Sequence, residues 1–482
     1  MKHLSYFILL IIASLTIGLR WYRIDAPVAD WHSFRQTDTA SVARIFVSDG
    51  IDLLHPRYHD LSNIQSGKDN PHGYRMVEFP IYQGVAALIT RTFPGISVER
   101  SLRYVSIAAA TGTAVLLTVM ATTTISPLVG MLTGLVYAVL PYSVFFGRTI
   151  LPETFAVFWA MLSMYLLSVS ARPSPHRYRR SVFVLLSACA GALTILVKPT
   201  AGFLLLPVPY LILRSYGISM ATLIHGALYG AIAIVPFWWW RGWILQFPEG
   251  IPVFDWLLNK GNIRFKGAWF QWLFAERLGK LILGFWGLVP FGLGLVVPNG
   301  KKDSTVWHVL GLGGLLYLSV FAAGNVQHDY YQVILLPIVS VFVAKGLAWL
   351  VMERRFPALG RIALSGGAVL FMLAFSWYTI RTYYWINRPE IIEAGAAADR
   401  LLPKNAKVIA PYNGDTTFLY QTKRSGWPLG FDIDKKMAMG ATHYVTVSPS
   451  DSDFETKTLA EQYTVLVRNE TYAIIDLTRP RN

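Results

Sequence analysis

An all-α polytopic membrane protein with a small C-terminal α/β domain is the fold class this sequence predicts. Three observations predict it. Charged residues are 15% of the 482 and hydrophobic residues 54%, whereas an ordinary soluble domain carries about 25% charged residues. Mean hydropathy is +0.42, and apolar runs recur along the chain, each near the ~20 residues that a bilayer-spanning helix needs. Over the last ~100 residues this pattern gives way to short β-branched and aromatic segments separated by turn residues.

The first apolar run, 4–19, is followed by Arg20-Trp21-Tyr22-Arg23. No small-x-small cleavage site follows it, so it reads as a retained span rather than a signal peptide. The other expected spans are 102–121, 127–146, 153–171, 181–198, 200–215, 219–239, 279–298, 305–323, 332–351 and 360–380, about eleven in all. The 200–215 segment contains Pro207 and Pro209 and is expected to kink. Residues 80–94 are apolar but too short to span, and read as a helix lying at the interface. The outer loop 21–101 carries a second apolar patch at 40–54. Beyond 387, residues 389–402 read as a helix, and 407–412, 418–421, 443–448, 464–468 and 472–477 as strands. The expected division is therefore a membrane domain over 1–386 and a small soluble domain over 387–482.

Lys and Arg set the orientation. With the N-terminus inside, the loops around 176–180, 301–302 and 353–361 all fall on the cytoplasmic side, as the positive-inside rule requires. An odd number of spans then places the C-terminal domain outside the cytoplasm. The net charge of +15 follows mainly from such loops and from contact with anionic membrane lipid, and an anionic substrate is the sharper reading. Basic residues scattered between spans do not suit nucleic-acid binding. The single cysteine, Cys189, excludes an intrachain disulfide, and there is no zinc-type Cys/His cluster.

That topology gathers polar motifs on the outer side, several at span ends, where a charge is costly unless it faces a cavity or a partner. The densest is Asp30-Trp31-His32-Ser33-Phe34-Arg35-Gln36-Thr37-Asp38. A carboxylate just outside a membrane can take a proton from an acceptor hydroxyl or amine. Alternatively, Asp30 caps a helix, and Arg35 and Asp38, about one turn apart, pair with each other. Glu78 precedes Phe79-Pro80-Ile81-Tyr82. It reads either as an acid favoured at a helix N-terminus or as a second carboxylate that orients the acceptor or holds a hard divalent ion.

Arg148 and Glu153 bracket an outer turn and either neutralise each other or leave Arg148 to grip a phosphate. Lys198, ahead of Pro199, is either a snorkelling end-cap or the cation for an anionic headgroup or leaving phosphate. The 324–332 link contains His328-Asp329-Tyr330-Tyr331. His328 suits a metal, a phosphate or simply Asp329, and the tyrosines suit an interface belt. In loop 241–278, Arg264 and Lys266 with several tryptophans suit a gate over a lipid-facing cleft.

Taken together, Asp30, Glu78-Phe79-Pro80-Ile81-Tyr82, Arg148 with Pro152-Glu153, Lys198-Pro199-Thr200 and the His328-Asp329-Tyr330-Tyr331 loop resemble the GT-C integral-membrane glycosyltransferases. The likeness is to the bacterial protein O-mannosyltransferase and aminoarabinose-transferase branch, glycosyltransferase family 39, over roughly residues 1–350. The resemblance implies a GT-C-like fold and an inverting hexosyl or pentosyl transferase. Its donor would be a polyprenyl-phosphate-linked sugar, and its acceptor a lipid, glycan or protein on the extracytoplasmic side. Asp30 would be the base, with Glu78 as the second catalytic carboxylate. Lys198, with Arg148 or Arg264, would steady the donor phosphate. Arg35, Asp38, Tyr82, Glu153, His328, Asp329 and Tyr330 would shape the site. No cofactor is firmly implied; a divalent metal on Glu78 and His328 is the one candidate. The alternatives are a lipid-linked sugar transporter or flippase, a ligase with a diphosphate-linked donor, and a non-catalytic scaffold. Charges gathered at span ends, rather than at mid-span, favour the enzyme.

Overall fold

A computed structural model describes residues 2–170, 179–298 and 304–481. The basic positions 176–178 and 301–302, which bear on orientation, lie outside the described residues. The chain divides into two compact units: residues 1–24, 103–242 and 254–382, and residues 25–102, 243–253 and 383–482.

The first unit is helical. Among the described residues six helices are long and apolar enough to cross a membrane: Val98–Thr124, Pro152–Ser170, Arg180–Val197, Met220–Gln246, Asp329–Met352 and Ala358–Tyr384. Shorter apolar helices cover Tyr6–Arg20, Pro127–Val139 and Thr305–Val320. Asp329–Met352 is almost wholly buried, whereas few residues of Met220–Gln246 and Ala358–Tyr384 are buried. Side chains such as Leu223, Trp238 and Leu370 stay exposed, as expected of helices whose outer face meets lipid rather than water.

Three of the expected spans are interrupted. The 200–215 segment is a 3₁₀ stretch, Pro199–Leu205, followed by the helix Pro207–Tyr216. Pro141 restarts a short helix, Pro141–Phe146, after Pro127–Val139. The 279–298 segment is the end of a π-helix, Gln271–Ile282, and then the helix Leu288–Val296. Between them Gly284 sits at φ +50°, where a Cβ would come 2.4 Å from Met372 O. A proline removes a backbone donor and a left-handed glycine turns the chain, so both break a run that composition alone reads as continuous.

The helices Leu288–Val296 and Leu336–Met352 meet through glycines. A Cβ on Gly294 would lie 1.8 Å from Phe342 O, and one on Gly346 would lie 1.8 Å from Pro290 O. Small residues let two membrane helices approach backbone to backbone. Gly346→Ala is expected to lower the unfolding midpoint in thermal scanning, because overpacking costs about 1–3 kcal/mol. Gly292→Ala, where a Cβ meets open space, should leave it nearly unchanged. Equal midpoints for the two variants would refute the packing argument.

In the second unit the helix Ser33–Asp49 is polar yet buried along much of its length. Its apolar members Val42 and Phe46 pack with Tyr58 and Ala87, so the first part of the 40–54 patch is buried inside the unit, whereas Ile51 stays exposed. The helix Ile81–Thr92 leaves Val85 and Leu88 exposed, with Phe93 just beyond it, an outward apolar face that suits the interface.

The C-terminal part holds a five-stranded sheet of β1 (Lys407–Ile409), β2 (Ser425–Trp427), β3 (His443–Thr446), β4 (Tyr463–Arg468) and β5 (Ala473–Pro480), ordered β2-β1-β3-β5-β4. β1 pairs parallel with β2 and β3, while β5 runs antiparallel to β3 and β4. The helix Glu390–Leu401 lies where residues 389–402 predict one. The segment 418–421 is not a strand but part of the helix Thr417–Gln421. Phe418, Leu419 and Tyr420 are all buried, and so short an apolar run has no period that separates strand from helix. β2 carries no β-branched residue; its Gly426 would place a Cβ 1.7 Å from Val408 O, and only glycine fits there.

Candidate functional site

In the second unit, His32 takes a left-handed conformation (φ 55°) as N-cap of Ser33–Asp49 and makes no side-chain cap. The N-cap position is thus His32 rather than Asp30. The backbone carbonyl of Asp30 accepts from Ser33 N at 3.0 Å, and its buried carboxylate accepts from Gln36 Nε2 at 2.8 Å. Asp30 also lines a pocket of about 270 Å³ with Trp31, Phe34, Trp385, Arg388 and Tyr412. A carboxylate beside aromatic faces and an arginine can accept a proton from a hydroxyl held against those rings.

Arg35 and Asp38 do not pair with each other. Arg35 Nη2 donates to Glu78 Oε1 at 2.5 Å. Asp38 Oδ2 accepts from Arg75 Nη2 at 2.8 Å, and Asp38 Oδ1 accepts from Thr416 Oγ1 at 2.7 Å. A one-turn spacing allows a pair but does not exclude better-placed partners from other segments. Tyr82 is buried and donates to Leu102 O at 2.9 Å, a structural contact for its hydroxyl.

Asp60 joins this buried carboxylate group. Its Oδ1 accepts from Ser62 N at 2.8 Å, and burial raises its pKa to about 6, with the charge of Asp38 acting in the same direction. Asp60 thus binds a proton more tightly folded than unfolded, and its contribution to stability falls as pH rises from about 4 to about 6. His59, held down at about 3 by burial and then by the charge of Arg44, works in the opposite direction over the same range. The difference between Asp60→Asn and wild type isolates the acid. The variant's unfolding midpoint is expected to gain on wild type as pH goes from 4 to 6.5, and a gap that is constant with pH would contradict the assignment.

In the first unit, Glu153 opens the helix Pro152–Ser170 and is fully buried. It pairs with Lys198, Nζ to Oε1 at 2.7 Å, rather than with Arg148. Lys198 Nζ also lies 5.4 Å from the Tyr331 ring centre. Arg148 is buried, its guanidinium 5.3 Å from the Phe145 ring. Arg264 is half-buried and donates to Val320 O at 3.1 Å.

His328 is half-buried among Trp256, Tyr330 and Tyr331, with ring centres 5.4–5.7 Å away. Tyr330 and Asp329 are buried. Asp329 Oδ2 lies 3.8 Å from Arg277 Nη1, and its carbonyl accepts from Tyr142 at 2.5 Å. Beside Lys198, an apolar cavity of about 560 Å³ is lined by Pro199, Gly202, Phe203, Val208, Tyr229 and Leu316, among others.

The residues do not fit a metal on Glu78 and His328. Among the described residues no group of three or more His, Cys, Asp or Glu converges, and Glu78 is engaged by a cation, Arg35. Sequence reasoning missed Gln36, Asp60, Arg75 and Arg277. Gln36 lies inside the motif already singled out. Arg75 and Arg277 carry no local signal, since their partners come from distant segments, and Asp60, bonded to nearby Ser62, stands out only by its burial.

Residues 82–266 match the family model described as dolichyl-phosphate-mannose-protein mannosyltransferase. No curated protein sequence matches the chain. In fold it is similar to ArnT from Cupriavidus metallidurans bound to undecaprenyl phosphate, at TM-score 0.66 and 13% identity over 97% of each chain. It is similar to the oligosaccharyltransferase AglB from Archaeoglobus fulgidus, in complex with an inhibitory peptide and a dolichol-phosphate. That match has TM-score 0.58 and 9% identity over 96% of this chain and 73% of that one. It is also similar to the arabinofuranosyltransferase AftD from Mycobacteria, at TM-score 0.60 and 15% identity over 97% of this chain and 41% of that one.

Proposed function

We propose that this chain is a GT-C-type membrane glycosyltransferase of inverting mechanism, a reading supported by the family match over residues 82–266 and by the likeness in fold to ArnT. It moves a sugar from a polyprenyl-phosphate donor to an acceptor hydroxyl or amine on the extracytoplasmic side of the membrane. The multi-pass domain, 1–386, carries Asp30 and Lys198, and 387–482, the extracytoplasmic soluble part, adds Arg388 and Tyr412 to the wall of the Asp30 pocket.

Asp30 is the base. Its carboxylate takes the acceptor's proton, the acceptor atom bonds to the anomeric carbon, and the bond from that carbon to the phosphate oxygen breaks. Polyprenyl phosphate leaves with the electron pair. Stabilising charge where it develops is usually the largest catalytic contribution. Lys198 serves there: its buried ammonium, paired with Glu153 at 2.7 Å, supplies a fixed positive charge next in the chain to Pro199, where the apolar cavity begins. Arg148 and Arg264 assist. Glu78 holds Arg35 in place and, with Asp38 and Tyr82, shapes the surroundings of Asp30, while His328, Asp329 and Tyr330 shape those of Lys198.

The observation that carries the reading is the buried Asp30 carboxylate on the wall of an aromatic-lined pocket. The apolar cavity that begins at Pro199 supports the donor assignment, since a headgroup held at Lys198 leaves its lipid tail a lipid-like lining. The undecaprenyl phosphate and dolichol-phosphate bound by ArnT and AglB point to the same donor class. The test is transfer of label from a panel of polyprenyl-phosphate sugars, with matched polyprenyl-diphosphate sugars, by membranes containing the protein. Transfer from a monophosphate donor is the expected result. Transfer from diphosphate donors alone would make it a ligase-type enzyme and overturn the donor assignment.

A further inference from the structure

We propose that the second unit holds a phosphate-binding pocket made by Arg44, Arg57, Lys404, Lys407, Lys423 and Arg424. These six cations line one concavity of about 460 Å³. They come from separate stretches of chain: Arg44 from Ser33–Asp49, Arg57 from the loop beyond it, Lys404 and Lys407 from the entry to β1, and Lys423 and Arg424 from the approach to β2.

The carboxylates around them number fewer. Arg57 pairs with Asp49 at 2.7 Å, and Arg44 with Glu99 at 2.8 Å. Lys404, Lys423 and Arg424 all share Asp399, at 2.7, 2.8 and 3.0 Å. Lys407 Nζ meets only a carbonyl, Met439 O, at 3.3 Å. Five of the six cations therefore share three carboxylates and Lys407 pairs with none among the described residues, so the surplus positive charge is concentrated in a hollow, where low-dielectric walls focus the field. His59, on the same wall, registers that field: burial and then Arg44 hold its pKa at about 3.

Concentrating like charges costs free energy that a multiply charged anion recovers. A single carboxylate would leave most of the surplus uncompensated. Arginine forks and lysine point charges together suit phosphate oxygens. The volume exceeds that of a bare phosphate and leaves room for the sugar or glycerol that bears it. Arg424, fully buried and donating to Asp399 and to the carbonyls of Pro403 and Leu402, contributes charge at the base, whereas Lys404 and Lys423, 80% and 55% exposed, are the groups that can reach a ligand. The inference does not depend on the donor chemistry proposed above, since its readout is binding rather than transfer.

The test is calorimetric titration of the full chain with inorganic pyrophosphate at low salt. Wild type is expected to bind, and more weakly as salt rises. The triple variant Lys404→Gln/Lys407→Gln/Lys423→Gln is expected to lose at least ~10-fold in affinity, as removing charge-assisted bonds requires. Lys407→Gln alone, which leaves the Asp399 cluster intact, should show a smaller loss in the same direction and guards against misfolding of the triple variant. Lys435→Gln, an exposed lysine outside the pocket, should bind as wild type does. Repeating the titration in nanodiscs separates two sources of the phosphate. Blockage by phosphatidylglycerol but not by phosphatidylcholine assigns the pocket to an anionic lipid headgroup. Binding that survives both assigns it to a soluble or acceptor-borne phosphate. No binding by wild type, or equal binding by the lysine variants, would overturn the proposal.

Discussion

Asp30→Asn is expected to lower transfer by about 10²–10⁴-fold, the usual contribution of a general base, while donor binding stays near that of wild type. The substitution is nearly isosteric. Gln36 Nε2 donates to Asp30 Oδ1 at 2.8 Å, and an amide oxygen accepts that bond as well, so the turn into Ser33–Asp49 is kept. What is lost is the negative charge and the ability to take a proton. A positioning role predicts a different pattern: Asp30→Asn would keep most of its turnover, and Gln36→Ala would be the more damaging change. The assay is initial rate at saturating labelled donor, beside a donor-binding measurement on the same preparation. Activity within about threefold of wild type would remove Asp30 as the base. Asp38 and Glu78, paired with Arg75 and Arg35 at 2.8 and 2.5 Å, would be the next candidates.

The difference between these carboxylates shows what could be read from the linear sequence. Composition and run length place the helices because membrane burial is a property of a local window, and so 102–121 or 332–351 fall inside helices that the structure contains. Interruptions such as Gly284 are less legible. Nothing local says that Met372 O will lie 2.4 Å from a Cβ placed there. The same holds for the polar network. The 30–38 motif announces itself by density of charge, but whether Arg35 meets Asp38 or Glu78 depends on a segment some forty residues on. Arg75 reaches Asp38 from a comparable distance and gives no sign of it in its own neighbourhood. The six cations of the basic pocket are unremarkable where each occurs in sequence. Their meaning comes from convergence alone.

The Lys198–Glu153 pair is where stability and chemistry separate most sharply. Glu153 is fully buried and neither of its carboxylate oxygens accepts a hydrogen bond among the described residues, so the Lys198 ammonium, 2.7 Å from Oε1, is its counter-charge. Lys198→Met is expected to cost about 3–5 kcal/mol, because removing one partner of a buried pair leaves the other charge uncompensated. Glu153→Gln should cost less, since the lysine stem reaches past apolar surface and its ammonium keeps the Tyr331 ring at 5.4 Å. Combining the two removes both charges, and replacing a buried ion pair by neutral groups of similar size is often close to neutral. The unfolding midpoint of Lys198→Met/Glu153→Gln is therefore expected to return most of the way to wild type. Transfer should not return with it, because the cation that meets the developing phosphate charge is gone, a loss of about 10²–10³-fold in turnover. A purely structural pair predicts the opposite pattern, with activity recovering alongside stability in the double variant. Measuring the midpoint and the initial rate on the same four proteins decides between them: a stable double variant that still transfers sugar would remove Lys198 from the donor phosphate.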